Sequence, residues 1–159
     1  MTVVVRRVAS ALHREYRKAG GVRIADAVAY AEGNLGTLEE QCRVRIDEAM
    51  EGVAAIVSHP DRLLTTEDLS RAHGLVNEML ACCAAVEIDG FVEALYACGR
   101  LIGILLAIDT RPVEALSPGV DLLRLARRGA APEDLEALIA GIDHYVARIQ
   151  ALGRISGRN

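Results

Sequence analysis

The stretch Thr65–Val86, TTEDLSRAHGLVNEMLACCAAV, decides the fold class. Its apolar residues Leu69, Ala72, Val76, Met79, Cys83 and Val86 recur three or four apart without a miss, the spacing that lines one side of an α-helix. The stretch therefore reads as a helix with one apolar seam, of the kind that packs against antiparallel neighbours. Thr65 is placed to cap its N-terminus, and Glu67 and Asp68 put negative charge in the first turn, where the helix dipole favours it. Asn77 points away from the seam, with His73, Gly74, Leu80 and Ala81 one turn from it. That side is expected to be solvent-exposed and flat. A glycine in mid-helix costs on the order of 1 kcal/mol relative to alanine, so Gly74 invites a reason such as close approach by a partner.

The same period organises the rest of the chain. Val4, Val8, Leu12 and Tyr16 mark an N-terminal helical arm over residues 1–21, closed by Gly20-Gly21. A segment starting near Ile24 is expected to break at Gly33-Asn34, where Thr37 and Glu40 then have the spacing of a capping box. A long helix is expected from there, carried by Leu38, Cys42, Ile46, Ala49, Val53 and Ile56 up to the break at Ser58-His59-Pro60-Asp61. Asp89-Gly90 reads as a turn, and Phe91, Leu95, Cys98, Ile102 and Leu105 as the next helix, ending before Asp109. Residues 113–128, with Ser117-Pro118-Gly119, read as a broken helical excursion. Gly129 and Pro132 stop one element and start another, a last helix with Leu135, Leu138, Ile142, Tyr145, Ile149 and Leu152 on its seam. The expected fold is all-α: an antiparallel four-helix bundle over residues 22–153, with the arm before it and a flexible tail at 154–159.

Composition agrees with this class. Hydrophobic residues make up 52% of 159 and aromatic residues 3%, with no Trp, so the core is built of Leu, Val, Ile and Ala and suits closely packed helices. The net charge of −4, with Lys18 the sole lysine, gives no polyanion-attracting excess, and the small cluster Arg124, Arg127 and Arg128 does not change that; nucleic acid is not an expected partner. The most apolar run, Leu101–Ile108, is far short of the roughly 20 residues a spanning helix requires, so it reads as a buried helix and no membrane partner is expected. Nothing in MTVVVRR resembles a secretory signal, which places the expected compartment in the cytoplasm with Cys42, Cys82, Cys83 and Cys98 as free thiols.

Catalytic constellations are weak. Cys82 and Cys83 point about 100° apart around one helix and lack the paired spacing of structural zinc ligands, so no metal is expected. The serines lie at helix starts or in the tail, away from any nucleophile elbow. Glu39-Glu40 and Asp47-Glu48 sit on polar helix sides as solvated charge, and no cofactor is implied. The expectation is a protein that binds and does not catalyse.

The arrangement of a candidate segment on one long helix, a short turn and a further helix resembles histidine phosphotransfer (HPt) domains, including the small HPt-like proteins of bacterial chemotaxis and two-component systems. Their hallmark resembles A-H-x-L-K-G followed by small residues: the histidine carries phosphate, the lysine three residues later offsets its charge, and the glycine lets a response-regulator receiver approach. Ala72-His73-Gly74-Leu75 matches the start of that motif, but Val76 then stands at the lysine position and Asn77 at the glycine position. One turn further on, Asn77 takes the histidine position, and Cys82, Cys83, Ala84, Ala85, Val86 and Phe91 follow at better distances. An amide does not accept and pass on a phosphoryl group. The resemblance therefore implies a receiver-docking module without transfer activity, docking through His73, Gly74, Asn77, Glu78 and Ala81, with His73 as the alternative phosphoacceptor. A helical scaffold that forms a homodimer or larger homo-oligomer is the competing expectation.

Overall fold

The computed structural model describes residues 24–156, Pro60 excepted. The expected arm at 1–21 and the last residues of the expected tail, 157–159, lie outside them. Five α-helices follow one another among the described residues: α1 (Ile24–Ile56), α2 (Thr66–Cys82), α3 (Phe91–Leu106), α4 (Ser117–Arg127) and α5 (Pro132–Ser156), with a 3-10 turn at Val113–Ala115. The all-α class is as expected. The helix count is not, because the segment read as a broken excursion contains α4. Ser117-Pro118-Gly119 opens that helix: proline fits the first turn, where a helix has no use for its missing N–H. Gly119 lies on the core side, where an added Cβ would be 3.0 Å from the Cys98 Sγ.

The chain forms two compact units, residues 1–37 and 38–159. Of the first, the described part is the N-terminal portion of α1, and every side chain from Ala25 to Thr37 is exposed. Helix α1 runs through Gly33-Asn34 without the expected break. Thr37 does not cap a new helix; its Oγ1 donates to the Gly33 carbonyl one turn back at 3.0 Å, a bond that a threonine inside a helix can make.

The second unit holds the core. Ile46, Ala49, Val53 and Ile56 of α1 are buried, as are Leu69, Ala72, Val76 and Met79 of α2. Helix α3 contributes most, burying Phe91, Ala94, Leu95, Ala97, Cys98, Leu101, Ile102 and Leu105, and it packs against α2, α4 and α5. A helix apolar over so wide an arc is stable only when surrounded. Helices α4 and α5 also pack against each other. The expected seams largely hold, with three differences. On α1 the seam is buried only from Ile46 onward, and Leu38 is exposed. Helix α2 ends at Cys82, so Cys83 is its C-cap and Val86 is buried from the following turn. On α5, Leu135 and Ile142 are buried, while Leu138 and Tyr145 remain exposed along a groove against α4.

Two connections set how these helices meet. Gly90 adopts φ +70°, a left-handed conformation that costs glycine little, and an added Cβ would sit 2.6 Å from the Leu135 Cδ1. The α1–α2 and α3–α4 loops pair at one point, where the Leu64 N–H donates to the Arg111 carbonyl at 2.7 Å and the Val113 N–H to the Arg62 carbonyl at 3.1 Å. Pro112, which has no N–H to give, sits between these two bonds.

Candidate docking face

The core of the described residues contains no buried polar or charged side chain, so their polar groups are presented at the surface. Helix α2 is the best-defined platform. Thr65 accepts a hydrogen bond from the Asp68 N–H at 3.0 Å, and Asp68 Oδ2 accepts from the Thr65 N–H at 2.9 Å, forming a reciprocal capping box. Arg62 donates to both Asp68 oxygens, at 3.0 and 3.2 Å, and to the Ile56 carbonyl at 3.0 Å, tying the end of α1 to the start of α2. The backbone bond from Thr65, followed by Arg62, holds the Asp68 carboxyl below its ordinary pKa.

With the seam buried, the opposite side of α2 faces outward at mid-helix. Ser70, His73, Gly74, Asn77 and Ala81 are exposed, and no described side chain lies within 4 Å of the position a Gly74 Cβ would take. Leu80 differs from expectation, being half-buried against the core. His73 and Asn77 are brought together: the Asn77 Nδ2 lies 3.2 Å from the His73 Nδ1. In this arrangement the amide donates and Nδ1 accepts, so a neutral His73 carries its proton on Nε2.

Sequence reasoning missed the residue that borders this face. Arg45 of α1 reaches Glu78 at 2.6 Å while also contacting Glu48 at 3.2 Å. Glu78 is therefore already paired on one flank. Nothing local distinguishes Arg45 from the other charges on α1, since its partner is set by how α1 and α2 meet.

Cys82 and Cys83 lie at the other end of α2 beside Cys42 of α1, whereas Cys98 lies on α3 facing Gly119 of α4. Cys98 is buried, and burial pushes its pKa up to about 12. Cys82 and Cys83 are half-buried and shifted upward, chiefly by desolvation and secondarily by the neighbouring Cys42 thiol. The Cys83 Sγ donates to the Met79 carbonyl at 3.3 Å. Among the described residues no set of three or more His, Cys, Asp or Glu side chains is arranged to hold a metal ion, and no helix is long and apolar enough to cross a membrane.

A second surface lies between α4 and α5. Leu122, Leu125, Leu138, Ile142 and Tyr145 line an apolar groove of about 500 Å³, with Asp121 at its rim. Its signal in the sequence was indirect: Leu138 and Tyr145 continue a seam that has too few partners to cover it. No protein-family model, curated protein or solved structure matches the chain.

Proposed function

We propose that this chain is an HPt-like docking module of bacterial two-component or chemotaxis signalling, acting in the cytoplasm, which binds a response-regulator receiver through the outer side of α2 without transferring phosphate. The observation that carries the reading is the exposed mid-helix patch of His73, Gly74, Asn77 and Ala81, with open space above Gly74. A partner helix can approach closely only where side chains are small. The reading treats the helices of the second unit as an elaborated HPt bundle.

The chemistry of the patch supports a reading without transfer. Asn77 lacks a nucleophilic ring nitrogen, and its amide engages the Nδ1 of His73. Val76, buried on the seam, stands where the motif read through His73 requires a cation. Ala81→Arg places a long charged side chain on the patch, and its expected effect is loss of receiver binding at unchanged helicity, read by calorimetric titration against a panel of purified receiver domains together with circular dichroism. Equal affinity of variant and parent, or no receiver bound by the parent, overturns the reading. Incubation with phosphorylated receiver is expected to leave no acid-labile label; a label that His73→Gln removes would restore phosphotransfer.

A second reading, a homo-oligomeric scaffold, is favoured by the α4–α5 groove, whose Leu125, Leu138 and Tyr145 are exposed. Sedimentation separates the two: a stable assembly that Leu138→Asp disperses and Ala81→Arg leaves intact belongs to the scaffold.

A further inference from the structure

Within the second unit, α1 and α2 run antiparallel, and two contacts fix their register. An added Cβ on Gly52 would be 2.9 Å from the Leu75 Cδ1, and Arg45 reaches Glu78 at 2.6 Å. From the Arg45–Glu78 pair, three residues back along α1 is Cys42, and four residues on along α2 is Cys82. These steps cover about 4.5 and 6 Å in the same direction, and steps of three or four residues return to the same helix face. The register therefore brings the two thiols together one turn beyond the ion pair. They meet: Cys42 and Cys82 are joined by a thiol hydrogen bond, whereas Cys42 affects Cys83 through charge alone. The Cys83 Sγ is turned to its own helix, donating to the Met79 carbonyl at 3.3 Å.

Both members of the pair are free thiols and half-buried, so a small reagent reaches them without unfolding the core. The opposite end of the α1–α2 pair is already held by the connecting loop and by Arg62, which donates to the Ile56 carbonyl and to Asp68. A bond between Cys42 and Cys82 would fasten the end that the loop leaves open. It would close a ring of about 40 residues, a length at which a cross-link strongly restricts the unfolded chain.

We infer that Cys42 and Cys82 are a redox pair, which a low-molecular-weight disulfide of the glutathione type converts into an internal bond that locks α1 to α2. The thiolate of one cysteine attacks the small disulfide, forming a mixed disulfide and expelling one small thiolate, which takes up the proton that the cysteine gave. The other cysteine then loses its proton and attacks the protein sulfur of the mixed disulfide, releasing the second small thiol. Two cysteine thiols are oxidised to one disulfide, and one small disulfide is reduced to two thiols. Desolvation first, and then Cys42, raise the pKa of Cys82, so the exchange is slow at neutral pH and quickens as pH rises.

Incubation of the full chain with oxidised glutathione at pH 8 tests this, read by intact mass and by thiols counted after denaturation. The parent is expected to lose two thiols and the mass of two hydrogens, to retain no glutathione, and to recover both thiols with dithiothreitol. The oxidised protein should melt about 10 °C above the reduced one. Cys83→Ser should behave as the parent, whereas Cys42→Ser and Cys82→Ser should form no internal bond. An internal bond that survives Cys82→Ser overturns the inference and places the pair elsewhere. A parent that keeps all its thiols, stops at the mixed disulfide, cross-links only between chains on a non-reducing gel, or melts no higher when oxidised also overturns it.

Discussion

Asp68 joins two helices through one carboxylate, accepting from the Thr65 backbone and hydroxyl and from Arg62. Its folded pKa is lowered, first by the Thr65 N–H and then by Arg62. A depressed carboxylate contributes stability that is present above its unfolded pKa, about 3.9, and is lost as pH falls through the folded value. Asp68→Ala is therefore expected to cost about 1 kcal/mol near neutral pH, the typical worth of a helix cap, and the gap to the parent should narrow below about pH 4. Urea unfolding at both pH values measures this, and a gap that stays constant would refute the assignment. The thiols give a second test at this scale. Because the thiolate is the reactive species, Cys98, with a pKa near 12 and a buried side chain, should label with a disulfide reagent only when the protein unfolds. Cys82 and Cys83 should label slowly at pH 7 and faster as pH rises, since both are shifted upward. Rapid labelling of Cys98 in the native protein would show the core around α3 to be open.

At the scale of elements, Gly74 separates stability from binding. It sits in mid-helix on the exposed side of α2 with nothing described near its missing Cβ, so the backbone does not need glycine there. Gly74→Ala is expected to stabilise the protein by about 1 kcal/mol and raise its melting temperature, because alanine restricts the unfolded chain and favours helix. A destabilised variant would mean that the site is packed. The periodicity of α2, its Thr65 cap and its exposed Asn77 were all legible, since each depends on residues within a few turns. The start of α1 near Ile24 was legible too, but its continuity through Gly33-Asn34 was not. Gly33-Asn34 and the Thr37–Glu40 spacing suit a break and a new cap, but a threonine hydroxyl can equally bond back to the carbonyl one turn earlier, and that alternative leaves the helix unbroken. Ser117-Pro118 is ambiguous in the same way, because proline both ends helices and begins them.

Across the second unit, α3 is the shared element, buried against α2, α4 and α5. Leu101 lies at its centre, fully enclosed, and also faces the position of Gly119 on α4. Leu101→Ala should cost about 2–5 kcal/mol, the range for emptying a buried leucine site. Because the surrounding helices share this contact, loss of far-UV ellipticity and exposure of the Cys98 thiol should occur in one coincident transition in the variant as in the parent. Two separate transitions would show that α3 does not couple its neighbours.

The amino-acid order alone determined that the chain is helical and which side of each main helix is apolar, because a period of three to four residues is a property of a single strand of backbone. It also put Asn77 on the exposed side of its helix, one turn from His73. Tertiary packing decided the rest: that residues 117–127 form a fifth helix closing on α3, that Arg45 meets Glu78, and that Leu138 and Tyr145 are left along a groove. Those outcomes depend on which helix faces meet, and that is set by the free energy of non-local contacts summed over the whole unit, which no short window of sequence contains.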